Sequence, residues 1–197
     1  MHTFIPGDFP KVILTAPDHA RAEIYLHGAH VTSWITLDGD EKLYLSQRNS
    51  FRPDAALRGG IPVVFPQFSG LGPLPKHGFA RTSAWEWLGA LEETIGTLSG
   101  HFQMTDSAAT RRIWDHAFRL DLTVTIGGPH LDVSLQVTNT DARPYDVTAA
   151  LHTYLRVQDV AAVMVEGTGG LSYRENGVDS AQVESKLRIN GEVDRIY

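Results

Sequence analysis

Apolar and polar residues alternate along much of this chain with the two-residue repeat of half-buried strands, whose successive side chains point to opposite faces. In "FRLDLTVTI", Phe118, Leu120, Leu122, Val124 and Ile126 interleave with Arg119, Asp121, Thr123 and Thr125. "LDVSLQVTNT" repeats the pattern. Between the two runs stands "GGPH", Gly127 to His130, whose turn composition predicts an antiparallel hairpin. The same reading predicts strands in "AEIYLHGAHVTSW" around Ile24, "KLYLS" around Tyr44, "AWEWLGA" around Trp87 and "DVTAALHTYLRV" around His152. The best helical candidate, "SAQVESKLRI", carries only a weak stripe. Many strands with frequent turn signals and little helix predict an all-β fold, an antiparallel sandwich or barrel.

One segment breaks this rhythm. Half of the ten prolines fall between Pro53 and Pro75, and proline cannot donate to a sheet ladder, so "RGGIPVVFPQFSGLGPLP" is predicted to be largely loop. Its Ile61, Val63, Val64, Phe65 and Phe68 supply enough apolar surface to predict an ordered wall packed on the sheet. In "TAALHTYLRV", alternation puts Thr148, Ala150, His152, Tyr154 and Arg156 on one face. The opposite face, Ala149, Leu151, Thr153, Leu155 and Val157, is predicted to be core. The first face is either the floor of a wet pocket or a solvated exterior.

Composition narrows the partners. At 197 residues and 42% hydrophobic, with no linker composition, the chain is expected to form a single domain over residues 1–197. A net charge of −6 argues against nucleic acid or an anionic membrane as partner. Any bound anion is expected to be small and locally held. The chain has no cysteine, hence no disulfide framework and no thiolate chemistry. The opening "MHTFIPGDFPKVILTAP" has no basic start followed by an apolar stretch, and the longest apolar run, "VAAVMV", is far too short to span a bilayer. These features predict a soluble, cytoplasmic protein.

Candidate chemistry gathers around the proline-rich segment. Arg58 precedes Gly59 and Gly60, a pair that lets backbone approach a ligand closely, and Arg81 closes the segment. Two converging guanidiniums suit a phosphate or carboxylate; the plainer alternative is that each pairs with an acid such as Asp54 or Glu86. His77, in "KHGFAR", stands where loop passes to strand, and His152 stands on the polar face described above. His27 and His30 are three positions apart and face opposite sides of a strand, so no shared metal ion is expected. "GLG" and "GTGG" lack the full glycine fingerprint of a dinucleotide loop.

Taken in order, "AEIYLHGAHVTSW", "LRGGIPVVFPQF", "KHGFARTSAWEW", "ALHTYLRV" and "EVDRIY" resemble the glucose-6-phosphate 1-epimerases, also called hexose-6-phosphate mutarotases. These belong to the galactose mutarotase-like, or aldose 1-epimerase, superfamily. The resemblance implies a large antiparallel β-sandwich that binds a phosphorylated hexose and interconverts its α and β anomers without metal or organic cofactor. By the same resemblance, Arg58 and Arg81 are the phosphate-binding arginines, His77 a sugar-binding histidine, His152 the catalytic acid and Asp194 a hydroxyl-binding carboxylate. Gln67 and an aromatic, Phe65 or Phe68, complete the expected substrate contacts.

Two departures from the family pattern matter. Lys76 stands where many relatives carry glutamine. Relatives also continue beyond the "DRIY" motif through further strands that carry the general-base glutamate, whereas this sequence reaches Tyr197. The expectation is therefore a C-terminally shortened sandwich whose open edge calls for cover, by a homo-oligomer for example. The alternative function is a non-catalytic sugar-phosphate-binding or regulatory protein that has lost the base.

Overall fold

The computed structural model describes residues 1–92 and 96–197. The chain divides into two compact units, Met1–Arg156 and Val157–Tyr197. The first begins with β1 (His2–Ile5), β2 (Lys11–Thr15), β3 (Arg21–Tyr25) and β4 (His30–Ile35), an antiparallel sheet in that order. Strands β3 and β4 are the two halves of "AEIYLHGAHVTSW", with a bulge between Glu23 and Ile24. The proline-rich segment contains only a two-residue strand, β5 (Val63–Val64). A second antiparallel sheet follows, ordered β6 (Glu86–Leu91), β7 (Leu98–Thr105), β8 (Phe118–Gly127) and β9 (His130–Asn139). The predicted hairpin is present, with β8 and β9 in register from Phe118 opposite Asn139 to Gly127 opposite His130.

The two sheets meet through their apolar faces. Val12, Leu14 and Ile24 from the first share one buried cluster with Phe102, Leu120 and Leu122 from the second. The polar partners of the alternation face outward, where Arg119 pairs with Asp121 at 2.8 Å. This is the antiparallel sandwich that the two-residue repeat predicts.

Four local expectations change. A six-residue helix, α1 (Ala108–Ile113), lies between β7 and β8, too short to leave an amphipathic stripe. Its only signal is the cap: the Ser107 hydroxyl accepts from the Thr110 amide at 3.2 Å, and the Ser107 amide donates to the Thr110 hydroxyl at 2.8 Å. "KLYLS" forms isolated bridges, Leu43 to Leu155 and Leu45 to Gly59, instead of a strand. In "DVTAALHTYLRV" only β10 (Ala150–Leu151) pairs as a strand, with β5. The run continues beside the proline-rich segment: the amides of Thr148 and His152 donate to the carbonyls of Pro66 and Pro62, both at 3.0 Å. Neither proline can return a hydrogen bond, so the ladder stops there. The face predicted to be core is open instead, with Thr153, Leu155 and Val157 exposed.

The second unit pairs β11 (Met164–Glu166) with β14 (Lys186–Arg188), and β12 (Ser172–Glu175) with β13 (Val178–Ala181). The weak helical candidate "SAQVESKLRI" thus becomes the end of β13 and all of β14, because Gln182 within it is buried and held by Arg195 at 2.7 Å and Tyr197 at 3.1 Å. No helix among the described residues is long and apolar enough to cross a membrane.

Candidate active site

The proline-rich segment is the ordered wall that its apolar content predicts: residues 61–67 are all buried. Beside it opens a cavity of about 490 Å³ whose lining includes Arg48, Arg58, Arg81, His77, His152 and Tyr154. Among the described residues no carboxylate lines it, although the chain carries a net charge of −6. The site therefore concentrates positive potential in an acidic protein.

Neither candidate arginine takes the plainer alternative. Asp54 is engaged by Arg52 at 2.6 Å, leaving the exposed Arg58 guanidinium without an acidic partner among the described residues. Arg81 is half-buried and donates from Nη2 to the Lys76 carbonyl at 3.0 Å. Its buried Nε has no hydrogen-bond partner. Burial lowers the Arg81 pKa, opposed by the nearby Tyr154 phenol, but guanidinium remains a cation at any ordinary pH. An anion that paired with it would relieve an unpartnered charge.

The two histidines come together. Their ring centroids are 5.8 Å apart, and the His152 ring lies 4.9 Å from that of Tyr154. His77 is fixed from behind, because the Ser69 amide donates to its Nδ1 at 3.2 Å. That bond leaves Nε2 as the protonated nitrogen of a neutral ring. Burial first, and then Arg81, His152 and Lys76, lower the His77 pKa and favour this neutral donor. Gly78, at φ +66°, lies on the Phe65–Pro66 backbone, where any Cβ would collide with the Phe65 carbonyl oxygen. This close approach delivers His77 to the cavity.

The two glycines after Arg58 work differently from the sequence expectation. Gly60, at φ +63°, packs on the protein's own backbone, and a Cβ there would meet the Val31 carbonyl oxygen. The close approach is to strand β4 and not to a ligand. Behind it lies His30, fully buried, with Nε2 2.7 Å from the Gly59 carbonyl oxygen. His27, in the turn before β4, contacts a different carbonyl, that of Ala55, at 2.9 Å. Burial pushes the His30 pKa down to about 4. Native His30 therefore stays neutral while the unfolded chain's imidazole takes up a proton, so stability falls as pH drops from about 6.5 towards 4. Between pH 7 and 4.5 this amounts to about 2–3 kcal/mol. Urea unfolding at both values should show a smaller loss in His30→Gln; identical losses would refute the assignment.

The remaining candidates fall elsewhere. Phe65 is a core residue, 0% exposed and packed against Phe79, Trp114 and Phe118, so it cannot support a sugar ring. Phe68 is half-buried with its ring 5.5 Å from that of His77, but it does not line the cavity. Gln67 also lies outside the lining, and the structure gives its amide a different task. It donates to the carbonyls of Ser69 at 3.2 Å and Leu74 at 3.1 Å, and accepts from the Leu74 amide at 2.9 Å, stapling the 69–74 loop. Lys76 is exposed; its carbonyl accepts from Arg81, and its charge adds to the lowering of the His77 pKa.

The aldose 1-epimerase family profile matches residues 10–197. The chain belongs to the aldose 1-epimerase family. A Cenchrus ciliaris protein provisionally named a glucose-6-phosphate 1-epimerase is 35% identical over 208 residues, covering 98% of this chain and 61% of that protein. An Escherichia coli K12 protein with the same provisional name is 35% identical over 163 residues, 79% of this chain and 52% of its own length. The crystal structure of a Salmonella typhimurium protein, provisionally named a mutarotase, superimposes with a TM-score of 0.87 at 28% identity, over 98% of this chain and 65% of that one. This epimerase-family chain thus spans between about half and two thirds of the relatives it matches.

Asp194 of the family's "DRIY" motif belongs to the second unit, where its amide donates to Glu175 Oε1 at 3.3 Å. Sequence reasoning misses Arg48 and Asn49, which line the cavity. Their one signal is the polar run "SQRNS" just before the "LRGG" motif.

Proposed function

We propose that this chain binds a hexose 6-phosphate and takes part in interconverting its α and β anomers. The observation that carries the reading is a cavity, without a carboxylate among the described residues, that brings arginines and a close histidine pair together in an acidic chain. Arg58 and Arg81 hold the phosphate by charge-assisted hydrogen bonds, and this remote binding energy aligns C1. His152 gives a proton to the ring oxygen as the C1 hydroxyl loses its own, so the C1–O5 bond breaks and an open-chain aldehyde forms. Rotation about C1–C2 and reclosure on the other face return the proton to His152 and yield the other anomer. His77, neutral with Nε2–H free, donates to an oxygen of the sugar. Asp194 binds a hydroxyl, by the family resemblance. The base that accepts the C1 hydroxyl proton is, by the same resemblance, a glutamate carried in relatives beyond the "EVDRIY" motif.

Anomer-exchange NMR on glucose 6-phosphate tests this reading. Exchange above the spontaneous rate is the expected result; binding without exchange would support the non-catalytic alternative, and neither would overturn both. Arg58→Ala should weaken glucose 6-phosphate binding by about tenfold or more while leaving glucose binding nearly unchanged. Equal losses for the two sugars would remove the phosphate assignment.

A further inference from the structure

Arg58 lies outside the strands, and its backbone is held by the loop that precedes it. The Asn49 Oδ1 accepts from the Arg58 amide at 2.6 Å, and the Asn49 Nδ2 donates to the Arg58 carbonyl at 3.0 Å. The same Nδ2 reaches the Ser46 carbonyl at 2.9 Å, and the Ser46 amide donates to the Arg58 carbonyl at 3.0 Å. Both backbone groups of Arg58 are therefore clamped by residues 46–49. That loop also carries Arg48, which lines the same cavity. The Arg48 side chain is exposed and has no acidic partner among the described residues, whereas Arg52, in the same stretch, grips Asp54 through two hydrogen bonds of 3.0 and 2.6 Å.

The clamp satisfies the Arg58 backbone, but it also keeps one unpartnered cation beside the loop that bears another, and like charges repel. The arrangement becomes favourable when an anion sits between them. We propose that the Ser46–Ser50 loop is a specificity element: Arg48 adds a third guanidinium to the phosphate contacts, and Asn49 is the positioning residue that keeps Arg58 in register with it. The proposal rests on the sugar-phosphate reading above. Three cations should favour a dianionic phosphate ester over a monoanionic sulfate ester of the same shape.

Calorimetric titration of the chain with glucose 6-phosphate, glucose 6-sulfate and glucose tests the proposal. Arg48→Ala should weaken glucose 6-phosphate binding by about tenfold or more, weaken the sulfate ester less, and leave glucose unchanged. Asn49→Ala should also weaken the phosphate ester. If Asn49 acts through Arg58, adding Asn49→Ala to Arg58→Ala should cause no further loss. Circular dichroism checks folding, and Asn49→Ser, which keeps one hydrogen-bonding oxygen, replaces the alanine variant if that one unfolds. A parent chain that prefers glucose 6-phosphate together with a neutral Arg48→Ala overturns this inference alone. Additive losses at positions 49 and 58 overturn the role of Asn49. A parent chain with no preference for the phosphate ester overturns the functional reading, and the inference falls with it.

Discussion

Replacing His152 with alanine is expected to lower catalysed anomer exchange of glucose 6-phosphate by about 10²- to 10⁴-fold, the usual contribution of a positioned proton donor. Affinity should change by less than about threefold, because the phosphate and not the imidazole supplies the main anchor. The His152 amide is pinned to the Pro62 carbonyl at 3.0 Å, and the ring stands between His77 and Tyr154, on the cavity wall that also bears the arginines. Saturation-transfer NMR measures exchange and calorimetry measures affinity on the same sample. Parallel losses in both would mean that His152 holds the sugar but does not move the proton.

Replacing Gly78 with alanine is expected to produce the largest loss of stability of any single methyl added to this site. The residue sits at φ +66°, a conformation that costs an L-residue roughly 1–2 kcal/mol. The added Cβ would also collide with the Phe65 carbonyl oxygen and lie 2.7 Å from the Pro66 nitrogen. Those are backbone atoms above a ring cluster of Phe65, Phe79 and Phe118, and they cannot swing aside. A loss exceeding about 4 kcal/mol follows, a depression of the thermal midpoint by about 10 °C or more. His77, the adjacent residue, would be displaced with it. A thermal scan showing Gly78→Ala within about 2 °C of the parent would show that this backbone contact is not tight.

Periodicity read the sheets well and the cavity wall poorly, for a definite reason. In β8 and β9 each residue pairs with its opposite across ten positions, so the alternation of Phe118 to Ile126 had a regular ladder to report. Around His152 the neighbouring chain contains Pro62 and Pro66, which accept but cannot donate. Alternation there predicted a core face that the structure leaves open at Leu155, 66% exposed. Phe65 and Phe68 looked equivalent as platforms for a sugar because composition says nothing of which ring turns inward. Gln67 looked like a ligand until its amide proved occupied by Ser69 and Leu74.

Local order along the chain was enough to determine the antiparallel sandwich, the hairpin at Gly127–His130 and the family, since each rests on strand period, turn chemistry or motif order among neighbours in sequence. Which charges share one cavity was decided only by tertiary structure. His152 is far along the chain from Arg48, Arg58 and Arg81, and its meeting with them depends on long-range hydrogen bonds and on Gly60 and Gly78 lying against the backbone of other segments. Such contacts leave no periodic trace, because they are set by the packing of one segment on another.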